Sequence, residues 1–171
     1  MMKKIVLVIM MAGLVGFASK AQTGIAKAQA MFIYNFSRLI EWPASYKTGS
    51  FVIGILGAGD ILSEIESYTV GKRVGSQQIV VKQYRDPAEV DKCHILFLTF
   101  SKTRVLGEMV NLLRNKSTLI ITEKSGAVNA GSAINFVLVG NKLKFEISQG
   151  NATRYGIKYS SKLTEMAFKS Y

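Results

Sequence analysis

Phe51-Val52-Ile53-Gly54-Ile55-Leu56, running directly into Gly57-Ala58-Gly59-Asp60, decides the fold of this chain. Six small or apolar residues in unbroken succession, rich in β-formers, predict a short strand buried on both faces. The glycines that follow predict a tight turn, and Asp60 is placed to cap a helix over Ile61 to Ser67. A strand with two dry faces needs a layer above and a layer below, which means a sheet clad in helices.

Working outward from this strand, the rest of the chain supplies the partners. Gln78 to Tyr84 predicts a second strand, with Lys82 marking some exposure, and Asp86-Pro87-Ala88-Glu89 predicts a helical turn opened by Pro87. Ile95 to Phe100 predicts a third buried strand. Ser101 or Thr103 then caps a helix with Val105, Leu106, Met109, Leu112 and Leu113 on its inner face. Thr118 to Thr122 is a fourth strand, so strand, helix and strand here read as a right-handed parallel crossover. Ala133 to Val139 and Lys142 to Ser148 flank Gly140-Asn141, two residues that tolerate positive φ, which predicts an antiparallel hairpin. A helical turn over Asn151 to Tyr155 ends at Gly156, and Ser160 or Ser161 caps a last helix carrying Leu163, Met166 and Ala167. Upstream, Ile25, Ala28, Phe32, Phe36 and Leu39/Ile40 recur at the spacing of one helical face, and Glu41-Trp42-Pro43 stops that helix. The expected fold is a three-layer α/β sandwich. Its mixed, roughly six-stranded sheet is parallel at the centre and ends in a C-terminal antiparallel hairpin.

The N-terminus predicts export. Lys3 and Lys4 precede an uncharged run from Ile5 to Phe17, about thirteen residues against the roughly 20 a spanning helix needs, and Ser19-Lys20-Ala21 supplies the small residues of a cleavage site. Residues 1–21 are therefore expected to be a signal peptide, leaving 22–171 as one domain in the periplasm. The whole chain has 22 Lys and Arg against 11 Asp and Glu. Removing Lys3, Lys4 and Lys20 leaves 19 against 11, a balance of +8. Outside the cytoplasm such a balance argues for acidic ligands, an anionic membrane face or an acidic protein rather than nucleic acid, and it also serves plain solubility.

Chemistry-bearing motifs are scarce. His94 is the only histidine and Cys93 the only cysteine; neither a hydrolase triad nor a metal-ligand spacing is present, so no catalytic residue, metal or cofactor is expected. Cys93 leads an apolar run, which makes a buried inert thiol the default, with an intermolecular bridge or redox sensor as the alternative. Glu41 and Glu146 stand apart from the acids on helix faces and turns, yet they read as an end-of-helix carboxylate and a strand residue rather than an acid/base couple. Gly57-Ala58-Gly59 sits where a phosphate cradle would, but the pattern lacks a third glycine and suits a tight turn. Trp42, the only tryptophan, either plugs the gap between helix and sheet or forms an exposed anchor for a partner.

Several segments, in order, resemble the YfiR-like family of small exported proteins: Tyr34-Asn35-Phe36 leading to Ile40-Glu41-Trp42-Pro43, Phe51 to Gly57, Cys93-His94-Ile95-Leu96-Phe97, Gly131 with Ile134-Asn135-Phe136, Phe145-Glu146-Ile147, and Ser160-Ser161-Lys162-Leu163. The resemblance implies a periplasmic, non-enzymatic α/β protein, often dimeric, that restrains a membrane-bound signalling receptor. In members of known role the receptor is a diguanylate cyclase bound at its periplasmic sensor region, and other members serve histidine kinases or transport systems. Family motifs at both places make Glu41 and Trp42, meeting Lys158, Ser160 and Ser161, the candidate partner surface. The competing expectation is a small-ligand sensor with a cleft at the strand ends, around Gly57, Gly59, Ser101 and Thr122, that takes an anionic or aromatic metabolite. Two departures stand out. The family's best-studied type carries disulfides, one through the cysteine matching Cys93, and none can form within this chain; the family's Phe-Glu-Ile-Asn ends here in Ser148.

Overall fold

The computed structural model describes residues 24–114 and 116–171. The signal peptide read over residues 1–21 lies outside them. Among the described residues no helix is long and apolar enough to cross a membrane.

A first helix, α1, covers residues 24–38. The strand Phe51–Leu56 (β2) is central, following the two-residue strand Ile40–Glu41 (β1) and a 3-10 turn over Ala44–Tyr46. Then come α2 (Ile61–Thr69), β3 (Arg73–Val74), β4 (Gln77–Tyr84), β5 (Ile95–Leu98), α3 (Leu106–Leu112) and β6 (Leu119–Thr122). The hairpin β7 (Ile134–Val139) and β8 (Lys142–Ile147) follows, and after it α4 (Gln149–Arg154), β9 (Lys158–Tyr159), α5 (Ser161–Met166) and β10 (Lys169–Ser170).

The main sheet has eight strands in the order β10-β8-β7-β6-β5-β2-β4-β3, and β1 pairs with β9 in a separate ribbon. From β4 to β7 the pairs are parallel. The hairpin is antiparallel, and Gly140 (φ 54°) with Asn141 (φ 59°) gives the two positive φ values of a turn whose twist matches the strands. The chain winds from β2 outward to β4, returns past β2 to β5, and continues the other way to β6 and β7. Right-handed crossovers in opposite directions put α2 and α3 on opposite faces, producing the sandwich.

Six strands fall where the sequence places them; the two-residue strands β1, β3, β9 and β10 carry no periodicity of their own. The inner face of α1 is rotated by about one position from expectation: Ala26, Ala30, Ile33 and Phe36 are buried, whereas Ile25, Ala28 and Phe32 are half-buried. The reason is polar. Gln29 and Ser37 lie on the inner face, satisfied by Glu123 Oε2 (2.8 Å) and the Tyr34 carbonyl (2.6 Å), so apolarity alone mislocates the stripe. Phe36 packs edge-on against Phe145 (4.8 Å) and stacks on Phe136 (5.9 Å), each pair adding about 0.5–1.5 kcal/mol beyond area burial.

The strand expected to reach Phe100 stops at Leu98. Phe100–Val105 forms a 3-10 helix whose N-cap position is Thr99, so neither Ser101 nor Thr103 is the cap. Leu112 (42% exposed) and Met166 (43%) turn away from the core positions given to them, while Leu106, Met109, Leu113 and Leu163 are buried. Both helices are under eight residues, too short for a periodic count to fix the face. Ser160 rather than Ser161 caps α5, accepting from the Leu163 amide at 3.3 Å. Ser148 caps α4 through the Asn151 amide at 3.2 Å, a duty serine and asparagine perform about equally well, which accounts for the departure at this position.

Candidate functional site

Two clefts open at opposite ends of the parallel strands. The first is built by the β1–β9 ribbon, which pairs Ile40 with Tyr159 and Glu41 with Lys158. The Ser160 amide extends the pairing by donating to the Leu39 carbonyl at 3.0 Å. The chain then places Trp42 beneath the ribbon, and Pro43 sets up the 3-10 turn that leads to Tyr46. The resulting groove has a volume of about 490 Å³, with Arg38, Glu41, Trp42, Lys47, Lys158 and Ser160 among its lining.

Trp42 is 5% exposed, so it belongs to the core. Its ring meets Phe51 edge-on at 5.0 Å and lies 5.8 Å from His94, yet its indole N–H is the one buried side-chain polar atom without a partner among the described residues. The accessible chemistry of the groove therefore comes from its rim. Arg38, Lys47 and Lys158 put three cations against the single carboxylate of Glu41, and among the described residues the only ion pair within 4.0 Å is Lys82–Asp91, elsewhere on the molecule. Ser161 is exposed but does not line the groove. Arg38 and Lys47 were missed by sequence reasoning, although both lie within five positions of Trp42 and carry the right charge.

The second cleft, about 780 Å³, lies beyond the C-terminal ends of β2, β5 and β6. Gly59 and Ser101 line it. Gly57 and Thr122 do not. Gly57 (φ 118°) packs under the Thr99 side chain, and Thr122 is fully buried, 2.8 Å from Asn135 Oδ1 and 2.9 Å from Ser132 Oγ. Among the described residues its ionisable side chains are Asp60 and Glu123, a sign that disfavours the anionic form of the anionic or aromatic metabolite expected there.

Neither His94 nor Cys93 is disposed for chemistry. His94 Nδ1 accepts from the Val52 amide at 3.0 Å, and Nε2 lies 2.7 Å from the Tyr46 carbonyl, which can only accept; this fixes the neutral ring with its proton on Nε2. Burial holds its pKa below the usual imidazole value, the Tyr46 contact opposes that and Lys92 adds to it. Cys93 is fully buried, and burial pushes its thiol up to about 12, so the thiolate needed for exchange is not formed at neutral pH. Glu41 and Glu146 sit apart, Glu41 on the ribbon and Glu146 accepting from Asn135 Nδ2 at 3.2 Å. Among the described residues no group of three or more His, Cys, Asp or Glu could hold a metal ion.

The described residues thus form an α/β sandwich with a cleft at each end of its parallel strands. The chain belongs to the YfiR/HmsC-like family (DUF4154), whose family model matches residues 26–168. This is a family of periplasmic regulators of cyclic-di-GMP signalling, generally non-enzymatic. No curated protein matches the chain.

Proposed function

We propose that this protein is an exported, single-domain periplasmic regulator, residues 22–171, that binds the periplasmic region of a membrane-bound diguanylate cyclase or sensor histidine kinase and restrains it without chemistry. The observation that carries this reading is the groove at the β1–β9 ribbon, where Arg38, Lys47 and Lys158 surround an apolar floor at Trp42. A cationic rim over a dry floor suits a partner surface with carboxylates around an apolar side chain: the charges steer the encounter and set specificity, and the floor supplies affinity. Restraint follows from differential affinity. To move a receptor from 1:99 to 99:1 in favour of its inactive state, the regulator must prefer that state by about 10⁴-fold.

The test is a binding titration against the periplasmic segments of the membrane-bound diguanylate cyclases and sensor histidine kinases of the same cell. Lys47→Glu with Lys158→Glu, both at exposed positions, is expected to weaken binding at least tenfold while leaving the melting temperature within a degree or two of wild type. Wild-type affinity in that double variant would remove the groove from the interface.

A further inference from the structure

We infer that the cleft beyond β2, β5 and β6 binds a small apolar cation, such as an arylalkylammonium compound, with Glu123 as its counter-ion. This proposal does not depend on the regulatory reading. Three independent observations meet at the cleft.

The first is position. β2 and β5 are neighbours from which the chain winds in opposite directions, and a doubly wound sheet leaves its natural crevice outside the carboxyl ends of such a pair. Ala58-Gly59-Asp60 and Thr99-Phe100-Ser101, the segments that leave these two strands, form its walls. A volume of about 780 Å³ lies within the range of about 300–1,000 Å³ typical of small-molecule sites.

The second is the apolar lining. Phe100 is 65% exposed and Leu138 58% exposed, and both face the cleft with Ile25, Ile61 and Leu143. Leu138 and Leu143 are register partners at the hairpin end, on the same faces of their strands as the core rings Phe136 and Phe145. The apolar surface thus continues outward from the core into solvent.

The third is charge. Among the described residues no lysine or arginine lines the cleft, although basic residues outnumber acidic ones 22 to 11 in the whole chain. Glu123 is held by two neutral donors, Gln29 Nε2 to Oε2 (2.8 Å) and the Phe100 amide to Oε1 (2.7 Å). Each oxygen retains a lone pair, and among the described residues no cation lies within ion-pair distance of it. The N-terminus of α2 brings partial positive charge to the same cleft, about half an elementary charge, which the full charge of the Glu123 carboxylate outweighs. An ammonium group on an apolar body satisfies both the lining and the sign; an anion of the same shape does not.

The closing experiment compares 2-phenylethylamine, protonated at neutral pH, with phenylacetate, its counterpart of similar shape and opposite charge, by amide chemical-shift titration of the ¹⁵N-labelled mature protein at matched ionic strength. The amine is expected to give saturable shifts at Phe100, Ser101, Glu123 and Leu138, and phenylacetate none. Glu123→Gln should weaken the amine about fivefold or more. Because that variant also disturbs the contacts to Gln29 and Phe100, Phe100→Ser, at an exposed wall position with Glu123 intact, is the second variant and should weaken it comparably. The inference is overturned if the two compounds bind alike, if neither binds at millimolar concentration, if the shifts map outside the cleft, or if either variant binds the amine as tightly as wild type.

Discussion

Replacing His94 with phenylalanine isolates what the only histidine does. The ring stacks on Phe51 (4.2 Å between centroids) and meets Tyr46 edge-on at 5.3 Å, contacts that phenylalanine keeps. The hydrogen bonds are lost unequally. The Tyr46 carbonyl still accepts from Gln77 Nε2 at 3.0 Å, whereas the Val52 amide loses its bond to Nδ1. One orphaned amide plus one weakened carbonyl places the loss at about 2–4 kcal/mol, toward the lower end because Val52 is only half-buried. The imidazole also makes stability depend on pH. Its folded pKa is depressed, so as pH falls the unfolded chain takes up the proton first. This contribution is therefore complete above about 6.5 and is lost as pH drops through the folded value, with a slope of at most about 1.4 kcal/mol per pH unit. Carboxylates titrate mainly below about pH 5, which leaves a window from 6.5 to 5 for the ring alone. Urea denaturation of both proteins at pH 7.5 and 5.5 measures both effects. A variant within 0.5 kcal/mol of wild type, or one with an unchanged pH slope, would refute this account.

Other outcomes follow from the same structure. Cys93 should react with a thiol reagent only after denaturation, and rapid labelling of native protein at neutral pH would contradict its burial. Gly57→Ala should cost about 2–4 kcal/mol in chemical denaturation, because φ of 118° is closed to L-residues and the new methyl would meet the Thr99 side chain; a neutral result would mean the turn relaxes freely. Trp42→Ala should lose about 3–5 kcal/mol by emptying a core position, while Trp42→Phe should lose distinctly less, since it removes an indole N–H that has no partner. Equal losses in the two variants would show that the N–H finds a bond in solution.

Six strands, the hairpin and the single parallel crossover from Ile95 to Thr122 were legible because each rests on local pattern: a dry run bounded by turn residues, or a Gly-Asn pair with positive φ; the order of the strands across the sheet was not. The rotated face of α1 was hidden because Gln29 looks solvent-facing until Glu123, 94 positions away, supplies its partner. The two-residue strands are set by their neighbours, and no periodicity can announce them. At the candidate partner surface, motif positions brought Glu41 toward Lys158, which the register pairs directly. Of the four residues read for the second cleft, Gly59 and Ser101 do line it, but its acidic side chains Asp60 and Glu123 were not legible, since they gather there only through the convergence of strand ends.

The β1–β9 pairing ties position 40 to position 159 with two residues on each side. Joining stretches so far apart along the chain is entropically costly unless the intervening sheet is already assembled, so this clasp closes late. The cationic groove it frames is consequently a property of finished molecules alone. If the groove is the docking face proposed above, half-made, truncated or partly unravelled copies lack it, and only finished molecules engage a receptor.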